Sequence, residues 1–422
     1  MSEVQREGGS APRHEVLGLS FLFGTLYFVQ GIVEPTEGLI AQPVRSLVKS
    51  WGYGTQDIAA FTAILSLPWA LKPIYGLISD FLPLRGSHRR SWLILTTAVT
   101  VIGLLVVWLA PPPEGAGTLL LCALMVPTVA VAFSDVVVDA LMVEEGQPRA
   151  LTGRLQSVQW AALYAAAILT GWLGGWLSQH AQARMGFAIC AGATMVSFIV
   201  TLLVVREPAV KRPAASAGRA VKDLRSVAQT PLVLGVIFFL FLWNFNPFTA
   251  SVRYMHMTVA MGMSEQLYGN TVSLDAIAAV IASVAYGFYC RRLSLHALLH
   301  LTVALGVLST LAWWGMVGER SALIVTFAAG FVYMTATLTQ LDLAARACPP
   351  HLAGTVFALL MAVSNLGASG AIWLGGIAYE HSAKAIGATP AFDALVAVGA
   401  AFTAACWFVV PWLLRASLRG NL

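Results

Sequence analysis

Residues Leu67 to Arg90 read LPWALKPIYGLISDFLPLRGSHRR, and the placement of charge in this stretch decides the fold. An apolar run carries one lysine, Lys72, between Pro68 and Pro73, then breaks into a segment holding Asp80, Arg85, His88, Arg89 and Arg90. Such a pattern is the end of a membrane-spanning helix, a tight turn at Gly86-Ser87, and a basic cluster that must stay in water. Composition agrees: the 422 residues are 58% hydrophobic and 11% charged, where a soluble domain carries roughly 25% charged residues. A polytopic membrane protein is expected. The five cysteines stand singly, with no metal-ligand or redox spacing, and read as packing residues.

Outward from this stretch, apolar windows of about 20 residues recur twelve times. They lie near 16–44, 56–79, 91–110, 118–142, 152–177, 185–205, 231–259, 265–289, 295–316, 321–345, 353–378 and 391–415. The first is too long for the apolar core of a cleaved signal and runs straight into Glu34, so it reads as a span. With the N-terminal tail inside, 18 of the 25 Lys and Arg face the cytoplasm, five face outward, and Lys72 and Arg253 lie within spans. The positive-inside rule then places both termini in the cytoplasm, and a bacterial inner membrane is the expected location.

A basic segment rich in Ala, Ser and Pro divides the chain. The expected organisation is a tail (1–15), a six-helix bundle (16–205), a cytoplasmic linker (206–230) with a surface-lying helix around Ala220–Val227, a second six-helix bundle (231–416) and a tail (417–422). The halves repeat each other: Gly153 precedes Gly175 by 22 residues, and Gly354 precedes Gly376 by 22. Asp139 and Asp342 stand upstream at similar distances, as in a parallel internal duplication. Small residues at Gly171, Gly174 and Gly175 suit close helix packing.

A charge at the centre of a span costs about 2.5–3.5 kcal/mol on insertion scales, so each needs a reason. The candidates are Glu34, Glu37, Lys72, Asp135, Asp139, Arg253, Asp275 and Asp342. Glu34 and Glu37 flank Pro35 on one face of the first helix, lining a cavity or hydrated at its exit. Asp135 and Asp139, four apart, share a helix face, and two carboxylates so close do not readily both ionise. Asp135 is the candidate coupling residue and Asp139 the structural one; pairing of either with Lys72 or Arg154 is the competing reading. In the seventh span, WNFNPF (Trp243–Phe248) breaks the helical pattern, which is tolerated only where backbone lines protein or water. Trp243, Asn244, Asn246, Phe248 and Arg253 therefore become site candidates, with Trp69 a further stacking face. Arg253 either holds an anionic group or pairs with Asp275, and His256 is expected to snorkel at the outer interface.

Gly76, Asp80, Gly86 and Arg89-Arg90 resemble the G-x-x-x-D-(R/K)-x-G-(R/K)-(R/K) loop between helices 2 and 3 of major facilitator transporters. The narrower PWALKPIYGLISD, the WNFNP run and ARACPPHLAGTVFALLMAVSNLG (Ala345–Gly367) resemble the folate-biopterin transporter family. This resemblance implies an all-α fold of twelve transmembrane helices in two pseudo-symmetric six-helix bundles. It further implies a secondary active transporter that moves a small anionic, folate- or pterin-like solute by alternating access, driven by protons. No cofactor, metal or nucleic-acid partner is implied, and a monomer is expected. Lys72 takes the place of the lysine in the family's P-W-x-x-K-P segment, and Asp80, Arg89 and Arg90 become a gating latch. Helix 1 departs from the family: IVEPTEGLIAQPVRS stands where a Tyr-Lys-Asp run is common. That leaves open another cargo (a peptidoglycan fragment, acetyl-CoA or a siderophore) or a non-transporting assembly or pigment-binding protein on the same scaffold. The chain has no G-x-x-x-x-G-K-(S/T) loop and no nucleophile-His-acid set, so neither an ATP-driven pump nor an enzyme is expected.

Overall fold

The computed structural model describes residues 12–84, 86–149, 151–207, 229–289, 295–347 and 353–419. Among them all regular structure is helical. The helices are α1 (Arg13–Val33), α2 (Ala41–Ser50), α3 (Thr55–Ser66), α4 (Lys72–Phe81), α5 (Arg90–Leu109), α6 (Gly117–Gly146), α7 (Thr152–Gln179) and α8 (Ala183–Val204). There follow α9 (Pro231–Asn244), α10 (Ala250–Met255), α11 (Glu265–Tyr289), α12 (Leu295–Leu311), α13 (Glu319–Ala347), α14 (Ala353–Ile386) and α15 (Ala388–Arg419). Helices apolar on every side satisfy their own backbone and can face lipid and protein alike.

Ten of the described helical segments are long and apolar enough to cross a bilayer. Where two more were expected, Pro231–Asn244 and Leu299–Gly315 are shorter apolar helices. The seventh expected span is interrupted after Asn244, which accounts for one of them. The linker helix expected around Ala220–Val227 lies outside the described residues.

The first expected span is in fact two helices. Pro35 disfavours helical backbone at Glu34, which turns to φ −56° and ψ 116°, and α1 stops at Val33. The chain reverses through Gly38, where a Cβ would lie 2.5 Å from the carbonyl oxygens of Ile32 and Glu34, so only glycine fits.

Within the first half α1 packs on α7 and α8, and α5 lies between α6 and α8; in the second, α9 packs on α14 and α15, and α12 on α13 and α15. The halves meet where α7 lies on α11 and α3 on α14. Backbones touch there: a Cβ on Gly269 would stand 2.4 Å from the Gly171 carbonyl oxygen and 2.5 Å from the Gly175 Cα. At the end remote from the termini, Lys49 forms an ion pair with Glu265. Gln42 Nε2 donates to the Glu265 carbonyl at 2.7 Å, and the Gln56 N–H donates to Glu380 at 2.8 Å. That end is shut.

Candidate functional site

Pro68 and Pro73 cannot donate to a helix ladder, and the winding changes between them. Residues Leu67–Leu71 tighten into a 3₁₀ turn before α4 begins at Lys72. This places Lys72 against α6, with its Nζ 2.5 Å from Asp135 Oδ2 and 4.8 Å above the Trp69 ring. Asp135 is buried, and its other oxygen accepts from the Gln30 side-chain amide. One turn along, Asp139 accepts from the Tyr27 hydroxyl at 2.6 Å and from Gln159 Nε2 at 3.1 Å. Four helices of the first half thus converge on two carboxylates and one ammonium. From the second half Asn365 Nδ2 donates to the Trp69 carbonyl at 3.1 Å, while the buried Trp69 indole N–H has no partner among the described residues. Arg154 is exposed, and Lys72 alone supplies the cation to this cluster among the described contacts.

Glu34 and Glu37 do not share a helix face, because α1 has already ended. The Glu34 carboxylate folds back to accept from the Thr36 N–H at 3.1 Å, from the Thr36 hydroxyl and from the Glu37 N–H at 2.5 Å. It is committed to the turn, whereas Glu37 is exposed.

In the second half, α9 stops at Asn244 and the chain stays irregular to Thr249. Asn246 Oδ1 accepts from the Phe248 N–H at 3.0 Å, an Asx turn that holds the break. The chain then restarts as the six-residue α10 followed by a π-helical turn, His256–Ala260. Arg253 projects so that its guanidinium carbon lies 4.8 Å from the Trp313 ring centre and 5.9 Å from that of Phe248. No ion pair joins it to Asp275, which sits across from Gly330 on α13.

Two further candidates lie on α9 just ahead of the break. Trp243 is buried beside Phe239, with a ring separation of 6.3 Å, and fills the space over Gly306; Asn244 Nδ2 donates to the Leu240 carbonyl at 2.9 Å. Both precede the break and still belong to the regular helix. His256 does not snorkel either: it is 2% exposed, lies within 2.9 Å of the Tyr379 hydroxyl and stacks 4.0 Å from Phe392. A hydroxyl and an aromatic face inside the protein give it a better environment than the interface. The Asp342 side chain lies outside the described residues, as does Arg85.

At the end bearing the termini, Gly86 adopts φ +82° and the loop closes on itself between Leu84 and Ser87. Arg89 is buried, with ion pairs to Asp80 at 2.6 Å and Glu144 at 2.7 Å and a hydrogen bond to Ser79 Oγ at 2.8 Å. Arg90 reaches instead to the Leu202 carbonyl at 3.0 Å. Glu207 closes the arrangement, accepting from the Ser87 hydroxyl at 2.5 Å and from the N–H groups of His88, Arg89 and Arg90 at 2.9, 2.8 and 3.0 Å. Its carboxylate sits at the N-terminus of α5, where donors are unpaired and the helix dipole favours negative charge. Burial pushes this carboxyl up, but the four donors outweigh it and hold it below the usual glutamate range.

Tyr27, Gln30, Gln159, Glu144 and Glu207 were not legible as site residues in the sequence. A glutamine in the middle of an apolar window is the signal that could have found Gln30 and Gln159.

A family model described as the BT1 family matches residues 39–417. A "Folate-biopterin transporter" of Synechocystis sp. is 28% identical over 381 residues, covering 85% of this chain and 73% of its own. A "Probable folate-biopterin transporter 4" of Arabidopsis thaliana is 21% identical over 426 residues, covering 83% of this chain and 86% of its own. Among solved structures, the nucleoside transporter NupG superposes with a TM-score of 0.70 at 12% identity, covering 94% of this chain and 98% of its own. A D-xylose-proton symporter superposes with a TM-score of 0.68 at 14% identity, covering 93% of this chain and 96% of its own. The fold is that of the major facilitator transporters.

Proposed function

The chain belongs to the BT1 family and is an integral membrane transporter, and we propose that it carries a folate- or pterin-like anion by proton-coupled alternating access. The observation that carries this reading is the buried Lys72–Asp135 pair at a helix break, roofed by Trp69. A carboxylate on the solute competes with Asp135 for the Lys72 ammonium. Once the ammonium turns to the solute, Asp135 is a buried carboxylate without its counter-ion, and taking up a proton relieves that cost. Release of the solute restores the ion pair and expels the proton, so solute and proton move together. Arg253 offers the second anion site, since a guanidinium matches a carboxylate with two parallel hydrogen bonds. Trp69, Trp313 and Phe248 supply faces for a flat ring.

The curated relatives named as folate-biopterin transporters support the cargo class. Alternating access requires the contacts around Glu265 and Glu380 to part while the Asp80–Arg89–Glu144 latch holds one state, with the two halves moving as bodies. The termini are assigned to the cytoplasm on the distribution of Lys and Arg, and the monomer is the working unit.

Reconstituted protein tests the coupling. Asp135→Asn is expected to abolish accumulation of folate or pterin driven by a pH gradient while leaving exchange of labelled for unlabelled solute measurable. A variant that still concentrates solute overturns the role of Asp135, and wild-type protein that binds neither compound assigns another cargo.

A further inference from the structure

Beside Gln30, whose amide holds Asp135, α1, α5, α6 and α8 line a partly open cavity of about 30 Å³. Its polar lining comprises Gln30, Thr97, Thr100, Ser134, Thr194 and Ser197 among leucines and valines, with no ionisable side chain. Three of the hydroxyl protons are already committed: Thr97 donates to the Leu93 carbonyl at 2.5 Å, Thr100 to that of Thr96 at 2.9 Å and Thr194 to that of Cys190 at 2.8 Å. What these oxygens present to the cavity is lone pairs. Gln30 is fixed likewise. Its NH₂ must face the Asp135 carboxylate, which only accepts, so its carbonyl oxygen points away.

We propose that this cavity is a water site that hydrates Gln30, the residue that holds Asp135. The lining is rich in acceptors and short of donors, and water brings two donors per molecule. An apolar void of this size stays dry, whereas a polar one of about 10–15 Å³ or more holds a water with two to four partners. The charged and titratable groups that meet Asp135 are Lys72 from α4, Asp139 from its own helix and Tyr27 from α1, with Glu34 acting more remotely on Lys72. All lie outside the cavity lining. When Lys72 turns to a solute, a water donating to the Gln30 carbonyl polarises the amide that donates to Asp135, and so supports that charge without touching the solute. That use rests on the transport reading above; the presence of water does not.

Radiolytic footprinting in H₂¹⁸O tests the site without any solute. Ordered internal water is expected to oxidise the buried lining residues Leu26, Val29 and Leu93 with ¹⁸O in the wild type. Thr97→Val combined with Thr194→Val keeps side-chain shape but removes two acceptor oxygens, and should lower that labelling severalfold while leaving exposed Trp176 unchanged. The serine counterparts, Thr97→Ser with Thr194→Ser, should retain it. Absence of label in the wild type, or equal label in the valine variant, overturns the proposal. Suppression of label by sodium relative to choline overturns it too, in favour of a cation site. If labelling behaves as expected while Asp135→Asn still accumulates solute, the water site stands and the coupling reading falls.

Discussion

Lys72 lies in a membrane-spanning segment and Arg253 beyond the break in the seventh expected one, and the protein accommodates the two cations in opposite ways. Lys72 is in contact with a carboxylate that is itself held by Gln30, and its neighbour Asp139 is held by Tyr27 and Gln159. Arg253 has two aromatic faces, Trp313 and Phe248, and no ion pair among the described residues. An ion pair in low dielectric saturates both partners, and opening it exposes a charge. Aromatic faces attract a guanidinium but leave its N–H fork unfilled. On the proposed transport reading, the first arrangement serves as the switch and the second as the anion site. A transporter that both couples and selects needs one of each.

The largest expected effect comes from breaking the pair. Lys72→Met leaves Asp135 buried and unpaired and should cost about 3–5 kcal/mol of stability, measured as thermal unfolding in detergent. Combining Lys72→Met with Asp135→Leu should recover most of the loss, because an apolar pair replaces the ionic one. Additive losses in the double variant would show that the two side chains do not act together and would remove the contrast with Arg253. Arg253→Met takes a cation from the neighbourhood of buried Asp275 but breaks no direct ion pair, and should be the milder change.

Arg253 sharpens the contrast through selectivity. Folate carries a glutamate tail with two carboxylates, and an unconjugated pterin has none. Arg253→Lys keeps the charge but loses the planar fork. Folate binding should weaken by about 1.5–3 kcal/mol, the worth of a charged hydrogen bond, with pterin binding nearly unchanged in a parallel calorimetric titration. Equal loss for both ligands would make Arg253 a packing cation held by its two rings.

The sequence was most readable where charge interrupts apolar runs. Lys72, Asp135 and Asp139 stood out because each is costly in a span and because four residues place both aspartates on one helix face. The Gly86 turn followed from the same contrast between apolar and basic residues, but Arg89, expected to stay in water with that cluster, is buried because Asp80 and Glu144 neutralise it. Glu34 and Glu37 were misplaced since periodicity was carried through Pro35, although the residue before a proline disfavours helix. Trp243 and Asn244 stood out by their nearness to the break in WNFNPF and lie in the helical turn before it, Trp243 buried and Asn244 half-buried. The neutral partners were hidden for a different reason. Tyr27 and Gln30 meet their aspartates across more than a hundred residues, and neither raises a local cost that marks it out.

The loop at the termini end holds a third buried cation, Arg89, and gives the smallest and most discriminating effect. Here a glutamate, Glu207, serves not the guanidinium but the helix end beneath it, through one hydroxyl and three N–H groups. Those donors hold its carboxyl below the ordinary 4.5 of a glutamate. A carboxyl lowered on folding adds stability that is fully present above its unfolded value and is lost as pH falls through the folded one. Replacement by Glu207→Gln removes that contribution without changing the size of the side chain. The gap in melting temperature between wild type and variant should therefore hold steady from neutral pH down to about 5.5 and close as pH falls below about 4.5. Because this carboxylate remains partly hydrated, the gap should be smaller than that caused by Lys72→Met. A gap independent of pH across this window would mean that Glu207 holds the loop by shape alone, and the loop would then differ from the Lys72 site in kind rather than in degree.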